Sequence, residues 1–221
     1  MKFALITEGV SEHRIIKHIL EKYFKESNVF FRQIQPQINN EKQKSGGGWS
    51  EVLKYCKRDD DLKEIFNTND YLIIQIDTDQ SQTKPFNISH TKPDNTLKLV
   101  EELYFDVVEK LMRLISPEII KAYGNNIFFA ICINTIECWL LPIYYINNHK
   151  SDINTCLPTL NKELRKKNIH VIPVANKNNS NSIRSYEAIL RNWRKKQDIV
   201  NSAQYNSSFK KFIESIGTIT K

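Results

Sequence analysis

Short apolar runs alternate with amphipathic stretches through the first two-thirds of the chain. Residues 2–7 are apolar and stop at Glu8-Gly9, which predicts a strand and then a turn. Residues 11–24 place Ile15, Ile16, Ile19, Leu20, Tyr23 and Phe24 on one face at helical spacing, with Ser11 as the expected N-cap. Residues 30–38 alternate and read as extended, and Pro36 pushes them toward a sheet edge. Residues 49–66 read as a second helix with Ser50 as candidate cap. Residues 71–77 are a buried strand, residues 96–123 a helical stretch broken near Ser116-Pro117, and residues 126–133 another buried strand. A β-α-β-α-β-α-β order predicts an α/β fold: a mainly parallel sheet flanked by helices.

Past residue 133 the pattern is less regular. Residues 147–154 are polar and mark a junction near 150. Beyond it we expect a helix over 157–167, a short strand over 170–173, a polar loop over 176–181, a basic helix over 183–196 and a short helix over 207–216. The chain therefore divides into a body, residues 1–150, and a basic, α-rich C-terminal extension, residues 151–221. Two polar loops interrupt the body. Residues 39–48 hold Gly46-Gly47-Gly48, which lets backbone approach a ligand but lacks the Lys-Ser/Thr ending of a P-loop. Residues 80–95 are long enough to be functional or disordered.

Composition narrows the class. At 40% hydrophobic and 26% charged residues, the 221-residue chain reads as soluble and globular rather than disordered. No apolar stretch is long enough to span a membrane, and the N-terminus turns acidic too soon for a signal peptide. Cys56, Cys132, Cys138 and Cys156 form no CxxC pair, so they give no zinc pattern; Cys132 and Cys138 read as core thiols, and the expected compartment is a reducing cytoplasm. The five histidines show no metal spacing. The net charge of +7 is uneven: residues 157–221 carry 13 Lys and Arg against 4 Asp and Glu, and the other 156 residues carry 19 against 21. A basic C-terminal part suits a polyanionic partner; ordinary solvated helix surface is the plainer alternative.

The candidate chemistry lies at strand ends. The strand over 71–77 ends in Asp77-Thr78-Asp79, and residues i and i+2 of a strand point to one side. The pair would hold a divalent metal of the Mg²⁺ class, which prefers oxygen ligands, or would simply form a turn. Glu8 follows the first strand, and Glu137 follows the last, in Ile136-Glu137-Cys138-Trp139, where an unpaired carboxylate is costly to bury. In a parallel sheet all four carboxylates lie at the carboxyl edge, where ligands gather.

These motifs resemble a family. Thr7-Glu8-Gly9-Val10-Ser11-Glu12 looks like the glutamate-glycine turn of TOPRIM domains, and Ile76-Asp77-Thr78-Asp79 looks like their Asp-x-Asp motif. Glu137-Cys138-Trp139-Leu140-Leu141 is similar to an acidic-x-Trp-Leu-Leu element of small bacterial TOPRIM-like proteins related to the overcoming-lysogenization-defect nucleases. The resemblance covers the layout of about residues 1–145, carried by few positions. It implies a Rossmann-like TOPRIM fold and a Mg²⁺- or Mn²⁺-dependent phosphodiester-cleaving site. Glu8 would be metal ligand or general acid/base, Asp77 and Asp79 would hold the metal, and Glu137 would complete the shell; Glu12 is a further candidate. Such relatives also place a basic residue near the phosphate, and Lys177 and Arg184 are the candidates. No topoisomerase tyrosine or primase zinc element is assignable.

The resemblance implies a metal-dependent nuclease acting on DNA or RNA, possible effector chemistry of phage defence, working alone, as a homo-oligomer or with a separate ATPase partner. Arg184, Arg191, Arg194, Lys195 and Lys196, interleaved with aromatics, would grip nucleic-acid phosphates; Tyr186, Ile189, Leu190 and Trp193 carry the spacing of a core-facing helix stripe. The alternatives are a non-catalytic nucleic-acid-binding or protein-interaction module with a degenerate site, and a phosphoryl-transfer enzyme for small phosphates.

Overall fold

Four runs rich in β-branched and aromatic residues become the strands of the main sheet. The computed structural model describes residues 1–25, 27–39, 42–43 and 46–219, with backbone alone at 38, 39, 42 and 43. In chain order the elements are β1 (Lys2–Ile6), α1 (Val10–Tyr23), β2 (Phe30–Gln35), the short hairpin β3 (Ile38–Asn39) and β4 (Lys42–Gln43), α2 (Trp49–Tyr55), α3 (Asp59–Thr68), β5 (Tyr71–Asp77), α4 (Val100–Leu114), α5 (Pro117–Tyr123), β6 (Ile127–Cys132), α6 (Glu137–Leu140), α7 (Cys156–Lys166), α8 (Ser180–Leu190), α9 (Lys196–Ala203) and α10 (Ser207–Ile216). The main sheet runs β2-β1-β5-β6, and every pairing in it is parallel. Helices cover both faces, the arrangement of a Rossmann-like α/β fold. The chain steps from β1 to one side, then returns to the other, so the strand order reverses between β1 and β5.

Strand alternation decides which helix lies on which face. Phe3, Leu5, Ile73, Phe128, Ala130 and Cys132 point to a core shared with α1 and with α6 through α10. Ala4, Ile6, Leu72, Ile74, Ile76, Ile127 and Ile131 point to the core shared with α2 through α5. Residues on either side of position 150 therefore bury apolar surface in one cluster. Among the described residues no helix is long and apolar enough to cross a membrane.

Several local expectations need correction. Residues 49–66 are not one helix. Cys56, Lys57 and Arg58 separate α2 from α3, whose first turn carries Asp59, Asp60 and Asp61, carboxylates favoured at a helix N-terminus. The caps at α1 and α2 are Gly9 and Gly48 rather than Ser11 and Ser50; Ser11 is buried in the first turn of α1. Residues 170–173 form no strand, because the Asn161 side-chain amide takes both backbone hydrogen bonds of Ile172, each at 2.8 Å. The basic helix ends at Leu190, not 196, while Tyr186, Ile189, Leu190 and Trp193 all pack inward. Cys132 is a free buried thiol, but Cys138 is joined to Cys156 by a disulfide that ties α6 to α7. That bond does not fit the reducing compartment read from the cysteine spacing. In the glycine-rich stretch 39–48, Asn40, Glu41, Lys44 and Ser45 lie outside the described residues. The loop over 80–95 is largely exposed but anchored by buried Ser81, Phe86 and Ile88, with Phe86 against Trp49.

Trp139 joins the two parts of the chain. Its ring stacks on Phe209 and Phe212 with centroids 4.6 and 5.7 Å away, and its indole N–H donates to the Ser208 hydroxyl at 3.0 Å. Replacing Trp139 with Ala should cost about 3–5 kcal/mol and shift one cooperative unfolding transition. Circular dichroism and the fluorescence of Trp49 and Trp193, on opposite faces of the sheet, read this out. Two separated transitions, with the Trp49 signal at its parental midpoint, would show that the core is not shared.

Candidate functional site

The carboxyl ends of β1 and β5 are adjacent and lie where the strand order reverses, a place where loops diverge and leave a crevice. Glu8 follows β1, and Asp77 ends β5. Gln75 joins them. Its side chain shares a strand face with Asp77, donates to Asp77 Oδ1 at 2.9 Å, and accepts from the Glu8 backbone N–H at 3.1 Å. The Asp77 backbone N–H donates to Glu8 Oε1 at 2.7 Å. Asp77 and Gln75 are buried, and Glu8 is half-buried.

Gly9 lets α1 start close against this corner. A β-carbon there would run into the Glu12 carboxylate and lie 2.9 Å from the Asn178 amide nitrogen. Glu12, one turn into the helix, is buried beside the Ser11 hydroxyl, 2.8 Å away. Asn178 Oδ1 accepts from the Ser11 backbone N–H at 3.0 Å, which fastens the segment before α8 to the start of α1. Gly48, with a left-handed φ of 96°, closes the opposite wall; its N–H donates to the Glu8 carbonyl at 2.7 Å.

Asp79 lies beyond the strand, in a turn, and is exposed. Asn134, itself at a left-handed φ of 62°, holds that turn: its carbonyl accepts from the N–H groups of Thr78 and Asp79. His90 Nε2 lies 3.0 Å from the Thr78 carbonyl and 2.8 Å from the Ser81 hydroxyl, bracing the same turn from the loop over 80–95. Asp77 and Asp79 do line one cavity, of about 280 Å³, together with Glu8, Glu12, Lys177 and Asn178.

Glu137 opens α6 and is fully buried. Lys177 Nζ lies 3.0 Å from its Oε1 and 3.1 Å from its Oε2, and the Tyr186 hydroxyl donates to Oε1 at 2.5 Å. Both partners come from the C-terminal part. Burial works against the Glu137 charge, but Lys177 outweighs it, helped by hydrogen bonds from Thr135 and Tyr186, and the carboxyl is held below its usual range.

The remaining carboxylates shift the other way. Burial pushes Glu8 from its ordinary 4.5 to about 8, with the charges of Glu12 and Asp79 adding to it. Asp77 rises well above 3.8, from burial first and then the neighbouring Glu8. Glu12 is also raised by burial, with Lys177 opposing. Lys177 faces Glu137, Asp77 and Glu12, which overcome its burial and hold it firmly charged. One ammonium thus serves a group of carboxylates too numerous for it to neutralise, and protons supply the balance.

Of the residues expected from the sequence, Glu8, Asp77, Asp79 and Lys177 converge on the cavity; Glu137 meets it through Lys177. Arg184 does not join them and lines a separate depression with Ile169, His170, Asn181 and Ser185. Arg191 lies in a groove along α1, and Arg194 and Lys195 lead into α9 with their backbone N–H groups on Asp198. Lys196 lies over the Tyr23 ring, 3.9 Å from its centroid. Gln75, Asn178, Tyr186, Ser11 and His90 were not expected. Gln75 alone carried a visible signal, as the single amide inside an apolar strand.

The donors are carboxylate oxygens, the chemistry that suits Mg²⁺ or Mn²⁺, and Glu8, Asp77 and Asp79 are the residues that would hold such an ion. Among the described residues no three His, Cys, Asp or Glu side chains are already grouped as a metal shell. Comparison with protein-family models, with curated proteins and with solved structures finds no match to this chain.

A carboxyl whose pKa rises on folding is neutral in the folded state while the unfolded chain ionises. Its contribution favours folding below pH 4.5 and is lost progressively as pH climbs to about 8. Glu8→Gln removes this ionisation while the amide oxygen can still accept from Asp77. Without divalent cations, the variant's melting temperature should gain on the parent's from about pH 5 to about pH 9. A gap independent of pH would mean that Glu8 ionises freely in the folded protein.

Proposed function

We propose that this chain is a Mg²⁺- or Mn²⁺-dependent nuclease with a TOPRIM-like site, hydrolysing phosphodiester bonds of DNA or RNA. The observation that carries the reading is the meeting of Glu8, Asp77 and Asp79 at the reversal point of a parallel sheet, with the Lys177 ammonium beside them. A bound cation supplies charge neutralisation at a phosphoryl oxygen and an activated water. The chain's own groups do the rest. Glu8 takes one of two roles: an ionised ligand of that cation, or, left uncoordinated, a carboxyl whose burial-raised pKa of about 8 lets it exchange a proton with water or a leaving oxygen near neutral pH. Gln75 fixes the Asp77 carboxylate through its amide N–H. Lys177 is held by Glu137, so its remaining N–H donors can meet a phosphate oxygen at the cavity wall. The resemblance to bacterial TOPRIM-like proteins adds a place in phage defence, with an ATPase or a second copy as partner, to this proposal.

Lys177 also favours a second reading. An ammonium that already faces Glu137, Asp77 and Glu12 can act as a permanent counter-ion in a binding module that no longer cuts. The two readings part on metal-dependent turnover.

With Mn²⁺, the parent should cleave labelled single-stranded DNA or RNA. Asp77→Ala/Asp79→Ala should lower the rate by on the order of 10²-fold or more, the scale of a lost electrostatic contact at a reacting oxyanion. Cleavage at the parental rate by the double variant would refute the nuclease reading. Nucleic-acid binding without metal-dependent cleavage by either protein would favour the degenerate module.

A further inference from the structure

A larger cavity, about 520 Å³, runs between α1 and α8. Val10, His13, Arg14, Lys17, His18 and Glu21 recur at three- and four-residue spacing and form one stripe along α1; Glu187, Leu190 and Arg191 form the facing wall. Val10 and His13 are the chain neighbours of Gly9 and Glu12, which line the carboxylate cavity. The groove therefore starts at the candidate site and leads away from it along α1.

Three cations, Arg14, Lys17 and Arg191, line the groove against two carboxylates, Glu21 and Glu187. Arg14 is paired across it to Glu187, and Lys17 lies 3.6 Å from Glu21, so both cations are held along its walls. Arg191 is exposed and has no ion-pair or hydrogen-bond partner for its guanidinium among the described residues. Arg194, Lys195 and Lys196 continue the basic run at its far end, where Lys196 covers Tyr23 of α1. Between the cations lie two imidazoles. His18 Nε2 is 2.9 Å from the Trp193 carbonyl, and His13 Nδ1 is buried with no hydrogen-bond partner. Burial holds both rings toward the neutral form, His13 at about 4, so neither adds a charge to the groove.

We propose that this groove is the track for a single polynucleotide strand flanking the scissile phosphate, with Arg14, Lys17 and Arg191 along its sugar-phosphate backbone. The inference rests on the phosphodiester reading for the neighbouring cavity. The groove between two packed helices admits one strand, and its cations follow one another along the helix as phosphates do along a chain.

The test separates binding from chemistry. In the full chain carrying Asp77→Ala/Asp79→Ala, fluorescent oligo-dT and oligo-U are titrated at several salt concentrations without divalent cations. Arg191→Glu and Lys17→Glu should each weaken binding roughly tenfold and flatten the salt slope by about 0.7 per lost phosphate contact, whereas Lys121→Glu, on the far face of the sheet, should change neither. The DNA and RNA arms tell which strand the groove prefers. Equal binding by Arg191→Glu, Lys17→Glu and Lys121→Glu overturns the proposal, as does failure to bind either oligomer. Binding of adenosine monophosphate that depends on Arg191, with no oligomer binding, also overturns it in favour of a mononucleotide site. Hydrolysis of bis(p-nitrophenyl) phosphate with Mn²⁺, a small phosphodiester with no flanking strand, should be seen in the parent chain and persist in Lys121→Glu. Its absence in the parent would sink the nuclease reading and leave an Arg191-dependent strand track standing.

Discussion

The buried Lys177–Glu137 pair is the constraint on which the rest of the site depends. A fully buried carboxylate survives only with a charge partner and satisfied lone pairs, and Glu137 has Lys177 and the Tyr186 hydroxyl. Both partners reach it from beyond residue 150. The segment before α8 must therefore lie against the carboxyl edge of the sheet, and Asn178 fastens it there on the backbone of Ser11. That pairing fixes the cavity wall beside Glu12, while Asn178 on Ser11, Glu187 on Arg14 and the Trp193 carbonyl on His18 hold α8 against α1.

Topology explains why the other carboxylates come to the same place. The chain leaves β1 in one direction for β2 and returns on the other side for β5, so two neighbouring strands release their loops in opposite directions. The gap between them is filled by polar groups rather than by a packed side chain. Gln75 makes that possible at modest cost, since both ends of its amide are used, one on Asp77 and one on the Glu8 backbone. On the opposite sheet face the same strand carries Ile74 and Ile76, fully buried in the second core. One strand thus serves a dry core on one side, while on the other the core at Ile73 gives way to the acidic crevice at Gln75 and Asp77.

Much of this was legible in the chain. Carboxylates at the ends of apolar runs mark a sheet edge, so Glu8, Asp77, Asp79 and Glu137 could be found from burial logic before any contact was known. The strands and the broken helix at Ser116-Pro117 followed from period and from proline, and Ser116 does cap α5. What stayed hidden depends on distance in space rather than position in sequence. Tyr186 carries the spacing of a core residue and is one, yet its hydroxyl reaches Glu137, 49 positions away. Asn178 is one amide among many in its loop, and nothing local marks it as the partner of Ser11. Asn161 substitutes for a strand neighbour at Ile172, which periodicity cannot anticipate. The helix over 49–66 was misjudged because apolar spacing continued while three aspartates signalled a new N-terminus.

The uneven charge of the chain takes on a different meaning in three dimensions. Read as a sequence, the basic C-terminal part is a separate patch awaiting a polyanion. In the fold it does two things at once: Lys177 turns inward to the carboxylates, while Arg191 and its neighbours stay at the surface beside α1. Burial, and then the charges of neighbouring acids that Lys177 offsets only in part, let Glu8 and Asp77 keep protons that ordinary carboxyls would lose. On the metal-dependent reading proposed above, cation binding and proton loss at this edge would be one equilibrium, because an oxygen ligand must shed its proton to coordinate. Such a site would respond to pH and to divalent cation through the same two carboxyls, over a range set first by their burial and then by the charges around them.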